Sequence, residues 1–307
     1  MKVLVTGGAG FIGSTLVRAL LDRGDTVTVL DSFEQSYDPA IKLANLEGLE
    51  INLIHGDVRD RAAVEEALDG VDAVVHLAAL AGVRESLENP GNYASVNVGG
   101  TVTLLEALSE RDATPMVYAS SSSVYGERHT GPFKESDSIG FPASPYAASK
   151  RAAELMCHSA HLSWGQPLTV LRFFTVYGPR QRPTMAISKF IRMALADEII
   201  PLFGAGQSRR DYTYVDDAVG ALLAALEQPS SFAVYNVGGG SPVALGDLVE
   251  AVGQATGKEI EIEHLPEQPG DVSLTWADPS AIQTGLGWSA DVSLVEGLRR
   301  TVKSFVD

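Results

Sequence analysis

A tyrosine and a lysine stand four residues apart in the stretch YAASK, which spans residues 146–150. The surrounding pattern predicts a helix, where residues i and i+4 share a face, so Tyr146 and Lys150 can meet one ligand. A free phenol has a pKa of about 10, and a nearby ammonium favours the phenolate. We therefore expect Lys150 to lower the pKa of Tyr146 and make it a proton acceptor near neutral pH. The alternative is an inert surface tyrosine one turn before a lysine.

A glycine-rich turn in the segment VLVTGGAGFIGS indicates a dinucleotide site. Glycines between a strand and a helix permit a tight turn and a close approach of the backbone to a pyrophosphate. The predicted cofactor contacts here are Gly7, Gly10, Phe11, Ile12 and Gly13. Asp31 ends the second strand 18 positions after Gly13, where a carboxylate would bind ribose hydroxyls and repel a 2′-phosphate. The pattern favours NAD over NADP; a structural turn with a solvated Asp31 is the alternative.

Two later segments lead toward the same crevice. Asp57 and Val58 follow the third strand and are candidate adenine contacts. The segment HLAALAG follows the fourth strand and supplies three further candidate cofactor contacts, Leu77, Ala78 and Ala79. We interpret His76, which begins this segment, as a packed strand residue rather than a catalytic one.

Short apolar strands alternate with helix-length segments, which is typical of a parallel sheet covered by helices on both faces. The predicted strands are Val3 to Val5, Val27 to Leu30, Ile51 to Ile54, Ala73 to Leu77, Met116 to Ala119, Leu168 to Leu171 and Ala233 to Val237. The predicted helices include Thr15 to Arg23, Ala62 to Leu68 and Val98 to Arg111. The fold class is therefore α/β, a Rossmann-type doubly wound parallel sheet with a smaller α/β substrate-binding region. We predict an NAD-binding domain of residues 1–175 plus about 211–240, and a substrate region of about 176–210 plus 241–307.

Composition narrows the function classes. The chain has 307 residues, 45% of them hydrophobic, and a formal net charge of −16, which argues against nucleic acid as a partner. Its one cysteine, Cys157, rules out an internal disulfide and a clustered cysteine zinc site, and we predict no metal. Apolar runs are shorter than the roughly 20 residues that span a bilayer, and no export signal is recognised. We expect a soluble cytoplasmic protein without a membrane partner.

Several motifs follow one another in a familiar order: TGGAGFIGS, YASSSSVYG, SPYAASK, RFFTVYGPRQRP, RRDYTYVDD, QPGDV and GLGWSADVSLVEGLRRTV. In this order they resemble the extended short-chain dehydrogenase/reductase family, in its NAD-dependent sugar-nucleotide epimerase and dehydratase branch. The resemblance covers almost the whole chain. It implies catalysis by Ser121, Tyr146 and Lys150, with Lys150 also bound to the nicotinamide ribose, and it implies a homodimer.

The resemblance also narrows the reaction. Related dehydratases carry acidic residues at the two positions after the catalytic serine, and related decarboxylases tend to carry a glutamate there. This chain has Ser122 and Ser123, whose hydroxyls are poor proton-transfer groups at neutral pH. We therefore predict 4-epimerisation of a UDP-sugar through a 4-keto intermediate. A catalytically silent NAD-binding regulatory protein is the alternative from another functional class.

A local excess of basic residues would suit the diphosphate of such a substrate. It comprises Arg172, Arg180, Arg182, Lys189, Arg192, Arg209 and Arg210. By resemblance Arg210 contacts the phosphates and Asp271 binds the uridine ribose, and Arg192 is a further candidate. Gln268 stands where classical UDP-galactose 4-epimerases often have arginine, which weakens the transfer of one phosphate contact.

The stretch RFFTVYGPRQRPTMA is most like UDP-glucuronate 4-epimerases, so UDP-glucuronate is the favoured substrate and UDP-glucose the alternative. Thr175 and Arg182 could hold the C6 carboxylate of a uronate, Ser122 is a third candidate and Arg84 a fourth. The chain departs from the expected form at Thr184, where aspartate is usual, and at Arg180–Gln181, where Trp-Gly is frequent.

Overall fold

The computed structural model describes residues 1–111, 113–266 and 272–306. Its strands are β1 (Lys2–Thr6), β2 (Thr26–Asp31), β3 (Asn52–His55), β4 (Ala73–His76), β5 (Met116–Ser121), β6 (Leu168–Phe173), β7 (Thr175–Tyr177), β8 (Ile200–Phe203), β9 (Arg209–Tyr214), β10 (Phe232–Val237), β11 (Pro242–Ala244) and β12 (Ile262–Leu265). Its α-helices are α1 (Phe11–Asp22), α2 (Pro39–Leu46), α3 (Arg61–Ala67), α4 (Val83–Glu88), α5 (Pro90–Tyr93), α6 (Gly100–Ser109), α7 (Pro145–Trp164), α8 (Ala186–Leu195), α9 (Val215–Glu227), α10 (Leu245–Thr256), α11 (Ser280–Leu286) and α12 (Leu294–Val306). A π-helical segment, Ala94–Gly99, leads into α6, and a 3₁₀ helix, Ser122–Tyr125, follows β5.

The large sheet has seven strands in the order β10-β6-β5-β4-β1-β2-β3, and every neighbouring pair is parallel. Helices cover both faces, so successive side chains of a strand enter two different cores. Val3 and Val5 pack on the face of α1 and α9, whereas Leu4 packs on the face of α3, α6 and α7. Burial on both faces is why these strands read as continuous apolar runs. The predicted fold class is confirmed.

Helix α7 carries the YAASK segment and is fixed to the sheet by small apolar residues. Ala153 and Cys157 are completely buried against the second core, and Ala160 is nearly so. Small side chains let the helix lie close to β5 and β6. Cys157 therefore packs α7 against the sheet.

A second region contains two small sheets that are separate from the large sheet. Strands β11, β9 and β7 form a three-stranded sheet, and β12 pairs with β8 in a two-stranded one. Strand β10 lies between β9 and β11 in the chain but joins the large sheet beside β6. The two regions therefore interleave in sequence; the residue boundaries given for the domains stay a prediction.

Two helices begin elsewhere than their apolar pattern indicates. Helix α1 begins at Phe11 rather than at Thr15, because Gly10 is extended (φ −74°, ψ −179°) and leads straight into helical backbone. Helix α6 begins at Gly100, and the segment before it is π-helical. Buried Asn97 in that segment binds the backbone of Leu80, a contact with a distant residue that periodicity cannot reveal.

The first turn leaves no room for a side chain at Gly13. A Cβ there would lie 2.2 Å from the carbonyl oxygen of Gly7 and 2.8 Å from the Cα of Gly8. These neighbours are backbone atoms and cannot rotate away. The turn and the first helical residues therefore depend on glycine for their contact.

We expect Gly13→Ala to lower the free energy of unfolding by about 1–3 kcal/mol, the usual range for overpacking. Gly99→Ala is the matched control, because Gly99 is helical (φ −59°) and a Cβ there meets no atom within 4 Å. Urea unfolding of both variants measures the difference. Equal stability of the two variants would contradict the close contact at Gly13.

Candidate active site

One cavity opens at the carboxyl ends of the parallel strands and collects most of the predicted site residues. Those that line it are Gly7, Gly10, Phe11, Ile12, Gly13, Asp31, Asp57, Val58, Leu77, Ala78, Ala79, Ser121, Ser122, Tyr146, Lys150, Thr175, Arg182 and Arg210. Carboxyl ends of parallel strands meet at one edge, so residues far apart in the chain converge there. The glycine turn and the YAASK helix thus border the same space.

The glycine turn has the shape of a pyrophosphate cradle. Gly7 has a φ of +71°, and a Cβ on it would lie 2.7 Å from the backbone nitrogen of Ala78. Asp31 is fixed beside the turn, since its two carboxylate oxygens accept hydrogen bonds from the backbone of Ala9 (3.0 Å) and Phe33 (2.9 Å). Each oxygen keeps acceptor capacity for a ribose hydroxyl. These residues fit a dinucleotide with a free 2′-hydroxyl.

His76 is hydrogen-bonded to Thr6, the strand residue that directly precedes the glycine turn. Its ring nitrogens lie 2.7 Å from Thr6 Oγ1 and 3.0 Å from Thr101 Oγ1, and Thr6 Oγ1 also accepts a hydrogen bond from the backbone of Ala78. Burial lowers the pKa of His76 to about 3, so the ring is neutral. His76 is a packed strand residue that aligns the ends of β1 and β4.

Ser121 and Tyr146 approach each other from two elements. Ser121 ends β5 and caps the 3₁₀ helix, where its Oγ accepts hydrogen bonds from the backbone nitrogen (3.2 Å) and the hydroxyl (2.9 Å) of Ser123. Its own proton remains available for donation. Tyr146 lies in the first turn of α7, which Ser144 caps, and its ring stands edge-on to Tyr93 with centroids 6.2 Å apart.

The pKa of Tyr146 differs from the sequence-based expectation. Burial raises it above the usual value, while a hydrogen bond with Ser121 and the charge of Arg182 act to lower it. The expectation that Lys150 lowers this pKa is wrong for the polypeptide alone, because the Lys150 ammonium turns to the carbonyl oxygen of Ala119 at 2.7 Å. The two groups that do act on the phenol come from β5 and from the segment after β7.

Lys150 is only 4% exposed, which is rare for lysine. Its ammonium lies 5.1 Å from the ring centroid of Tyr118, and burial lowers its pKa to about 8, against opposing effects of Cys157 and Glu154. A buried ammonium with one carbonyl partner keeps donors for a further ligand. Since Lys150 lines the cavity, it can bind a ribose hydroxyl there.

Among the predicted substrate residues, the structure brings Ser122, Thr175, Arg182 and Arg210 to the cavity. Arg182 Nη1 donates to the carbonyl oxygen of Ala81 at 2.8 Å. Its charge acts on Tyr146, Tyr37 and Tyr93, which places the guanidinium centrally among the lining groups. Arg210 lies on β9, and its Nη1 donates to the carbonyl oxygen of Arg209 at 3.0 Å.

Other predicted residues lie elsewhere. The guanidinium of Arg84 lies 5.4 Å from the ring centroid of Phe203, outside the cavity lining. Arg192 is exposed on α8 and donates to the carbonyl oxygen of Pro183. Asp271, like Gln268, lies outside the described residues.

Arg172 does not serve a diphosphate, contrary to its inclusion in the basic segment. Its side chain is 4% exposed and donates to both carboxylate oxygens of Glu154, at 2.9 and 3.0 Å. Because the guanidinium of Arg172 is already bound to a buried carboxylate, its charge is neutralised there and it does not bind a ligand phosphate. Charge counting along the sequence cannot distinguish such a pair from a ligand site.

Three further residues that line the cavity carry no recognisable signal in the sequence. Lys42 and Tyr37 line the cavity next to Asp31, and Lys42 Nζ donates to the carbonyl oxygen of Glu34 at 2.6 Å. Arg59 also lines it and binds both oxygens of Asp57, which lowers the pKa of that carboxyl group. These residues lie on loops and on a short helix without a glycine or strand signal, so only the fold reveals them.

The sequence of residues 3–238 matches the model of the NAD dependent epimerase/dehydratase family. A UDP-glucuronate 4-epimerase of Thermodesulfobacterium geofontis is 38% identical over 306 residues, covering 97% of this chain and 94% of that protein. The crystal structure of the Bacillus cereus UDP-glucuronic acid 4-epimerase, in complex with UDP-glucuronic acid and NAD, has a TM-score of 0.95 and 37% identity. It covers 100% of this chain and is itself covered to 99%.

A UDP-glucose 4-epimerase of Thermotoga maritima, solved with UDP-glucose, is also similar, with a TM-score of 0.93, 34% identity and coverage of 100% and 99%. Both kinds of enzyme share the whole length of this chain. Together with the glycine turn, Asp31, Ser121, Tyr146 and Lys150 around one cavity, these matches show that the chain belongs to the NAD-dependent epimerase/dehydratase family.

Proposed function

We propose that this protein is an NAD-dependent UDP-sugar 4-epimerase whose substrate is UDP-glucuronate and whose product is UDP-galacturonate. The observation that carries the proposal is the convergence of Ser121 and Tyr146 with the glycine turn and Asp31 in one cavity. The similarity to the T. geofontis and B. cereus UDP-glucuronate 4-epimerases supports the choice of sugar.

Bound NAD supplies the hydride acceptor for C4 of the sugar and the hydride that returns to the opposite face. Tyr146 accepts the proton of the 4-hydroxyl and later gives it back. Ser121 donates its one hydroxyl proton to the phenolate, which lowers the pKa of Tyr146. Lys150 would hold the nicotinamide ribose next to Tyr146, and the positive charge of the bound nicotinamide would lower the phenol pKa against the effect of burial.

The serine turn favours epimerisation over elimination. Ser122 and Ser123 follow Ser121 on the 3₁₀ helix, and Ser123 donates its hydroxyl proton to Ser121. Neither hydroxyl offers the acid and base that removal of water requires at neutral pH. The 4-keto sugar would therefore be reduced again at C4 rather than lose water.

A uronate places a further demand on the site, because the 4-keto form is a β-keto acid that can lose carbon dioxide. We assign the C6 carboxylate to Thr175, Ser122 and Arg182, which line the same cavity. A carboxylate held near the ring plane resists decarboxylation. The charge of Arg182 would act on both this carboxylate and Tyr146.

Helix α7 supports a homodimer. Its exposed surface includes Leu155 (53% exposed), Met156 (43%), Leu162 (70%) and Trp164 (51%). A second copy of the helix would cover these side chains.

Among the described residues, no helix is long and apolar enough to cross a bilayer. We propose a cytoplasmic location and retain the predicted division into NAD-binding and nucleotide-sugar-binding domains.

Purified protein incubated with UDP-glucuronate, without added NAD, should form UDP-galacturonate, and UDP-glucose should react poorly. Chromatographic separation of the products measures both reactions. Formation of UDP-galactose from UDP-glucose, with no reaction of the uronate, would contradict the substrate. If neither reacts even after NAD addition, the epimerase proposal fails.

Arg182→Ala should lower kcat/KM for UDP-glucuronate by at least about tenfold more than for UDP-glucose, because a hydrogen bond to a charged group contributes about 1.5–3 kcal/mol. Both substrates should lose some activity through the effect of Arg182 on Tyr146. Arg299→Ala, which removes an exposed guanidinium bound to Glu296, is the control and should change neither. Equal losses with the two substrates would refute the carboxylate role.

Lys150→Met should remove a pH dependence of stability. The folded-state pKa of Lys150, about 8, lies below its ordinary value of 10.5, so the unfolded chain binds more protons between these values. The free energy of unfolding of the parent, relative to the variant, should therefore rise with pH through this window, by up to on the order of 3 kcal/mol. Urea unfolding of cofactor-free protein at pH 7 and pH 10 measures it; a pH-independent difference would contradict the buried ammonium.

A further inference from the structure

A buried polar network lies beneath the catalytic groups and joins five elements. At its centre Glu154 of α7 pairs with Arg172 of β6, and both residues are at most 4% exposed. Glu154 Oε1 also accepts the hydroxyl proton of Ser120 at 2.6 Å. Arg172 Nη1 donates to Tyr125 Oη at 3.0 Å, and Tyr125 Oη donates to Asn236 Oδ1 of β10 at 2.8 Å.

The two branches of this network hold the two ends of the serine turn. Ser120 directly precedes Ser121, and Tyr125 is the last residue of the 3₁₀ helix that Ser121 caps. Ser120 also pairs with Arg172 in the register of β5 and β6. The Glu154–Arg172 pair therefore fastens both ends of the segment that presents Ser121 and Ser122 to the cavity.

The same pair ties this segment to the helix that carries Tyr146. Glu154 lies one turn beyond Lys150 and two turns beyond Tyr146 on α7, so these residues share one side of a rigid helix. The separation of Ser121 from Tyr146 is thus set by a chain of short hydrogen bonds through Glu154. A misplacement of about 1 Å can cost a hundredfold in rate.

Burial of an ion pair does not by itself explain this arrangement. Apolar residues of similar volume often stabilise a fold as well as a buried ion pair does. The bidentate geometry of Arg172 fixes orientation, which a hydrophobic contact cannot do as sharply. The network lies between the segment that presents Ser121 and the helix that carries Tyr146, so it affects the relative orientation of these two residues.

We propose that Glu154 and Arg172 are positioning residues that hold the serine turn against α7 and thereby set the contact between Ser121 and Tyr146. They touch neither substrate nor cofactor and act through Ser120 and Tyr125. The proposal rests on the proposed function for its kinetic test and on the geometry alone for its spectroscopic test.

The variant that tests it most cleanly is Tyr125→Phe, which removes one branch and keeps both the ring and the ion pair. We expect kcat with the UDP-sugar to fall about tenfold while KM changes less than about twofold. Loss of the Ser121 hydrogen bond should also raise the pKa of Tyr146. The increase of kcat with pH, which follows ionisation of Tyr146, should therefore shift to higher pH. Lys150, Arg182 and Tyr93, which also face Tyr146, are unchanged in this variant.

Ser120→Ala removes the other branch and should have the same kind of effect, and the double variant should lose more than the product of the two single losses. Tyr177→Phe is the matched control, because Tyr177 is buried and its hydroxyl donates to the carbonyl oxygen of Leu294 outside the cavity. It should change thermal stability without changing kcat or the pH profile.

A second measurement does not depend on turnover. In the NAD-loaded protein labelled with 13C at tyrosine Cζ, the Tyr146 signal, assigned by its loss in Tyr146→Phe, should titrate at higher pH in Tyr125→Phe than in the parent. If kcat and the Tyr146 titration stay unchanged while only the melting temperature falls, the network is structural and the proposal is overturned. An inactive parent would refute the proposed function but leave the titration as a test of the network.

Discussion

The parallel direction of all seven strands in the large sheet is the constraint on which the rest of the structure depends. It brings the carboxyl ends of β1, β2, β4, β5 and β6 to one edge, where the cavity opens. The glycine turn follows β1, whereas Asp31 is the last residue of β2 and Ser121 the last residue of β5. A side chain at Gly13, or a different register between β5 and β6, would separate groups that must act on one sugar carbon.

The interior beneath that edge contains several buried polar side chains. His76, Asn97, Glu154 and Arg172 are all buried, and each is hydrogen-bonded to residues from other elements. Buried polar groups that are fully paired specify one arrangement of the elements around them. In this protein they lie directly behind the cavity wall, whereas the apolar cores on the two faces hold the layers together.

The cationic groups of the cavity have an electrostatic setting that the net charge of −16 does not reveal. Lys150 is buried with a lowered pKa, and Arg182 lies where its charge acts on three tyrosines. A few fixed cations inside an acidic molecule can bind an anionic nucleotide sugar. Local geometry, rather than overall charge, therefore decides which ligand fits.

Much of this could be predicted from the sequence. Apolar runs and glycine spacing are local signals, so the sheet, the turn and the pair Tyr146 and Lys150 were accessible. The predictions that were wrong concern properties that depend on contacts between residues distant in the chain. Arg172 looks like any basic residue until β6 places it opposite Glu154, and the pKa of Tyr146 depends on burial and on Arg182, which stands 36 positions later in the chain.

In the proposed reaction, the configuration at C4 changes by hydride removal and return within one cavity. The most direct test uses UDP-glucuronate carrying deuterium at C4, incubated with the protein in ordinary water and without added NAD, with mass and NMR analysis of the epimer. We expect the deuterium to be retained at C4 of the product. Replacement of the deuterium by solvent hydrogen would contradict it, because inversion would then proceed by proton exchange at carbon.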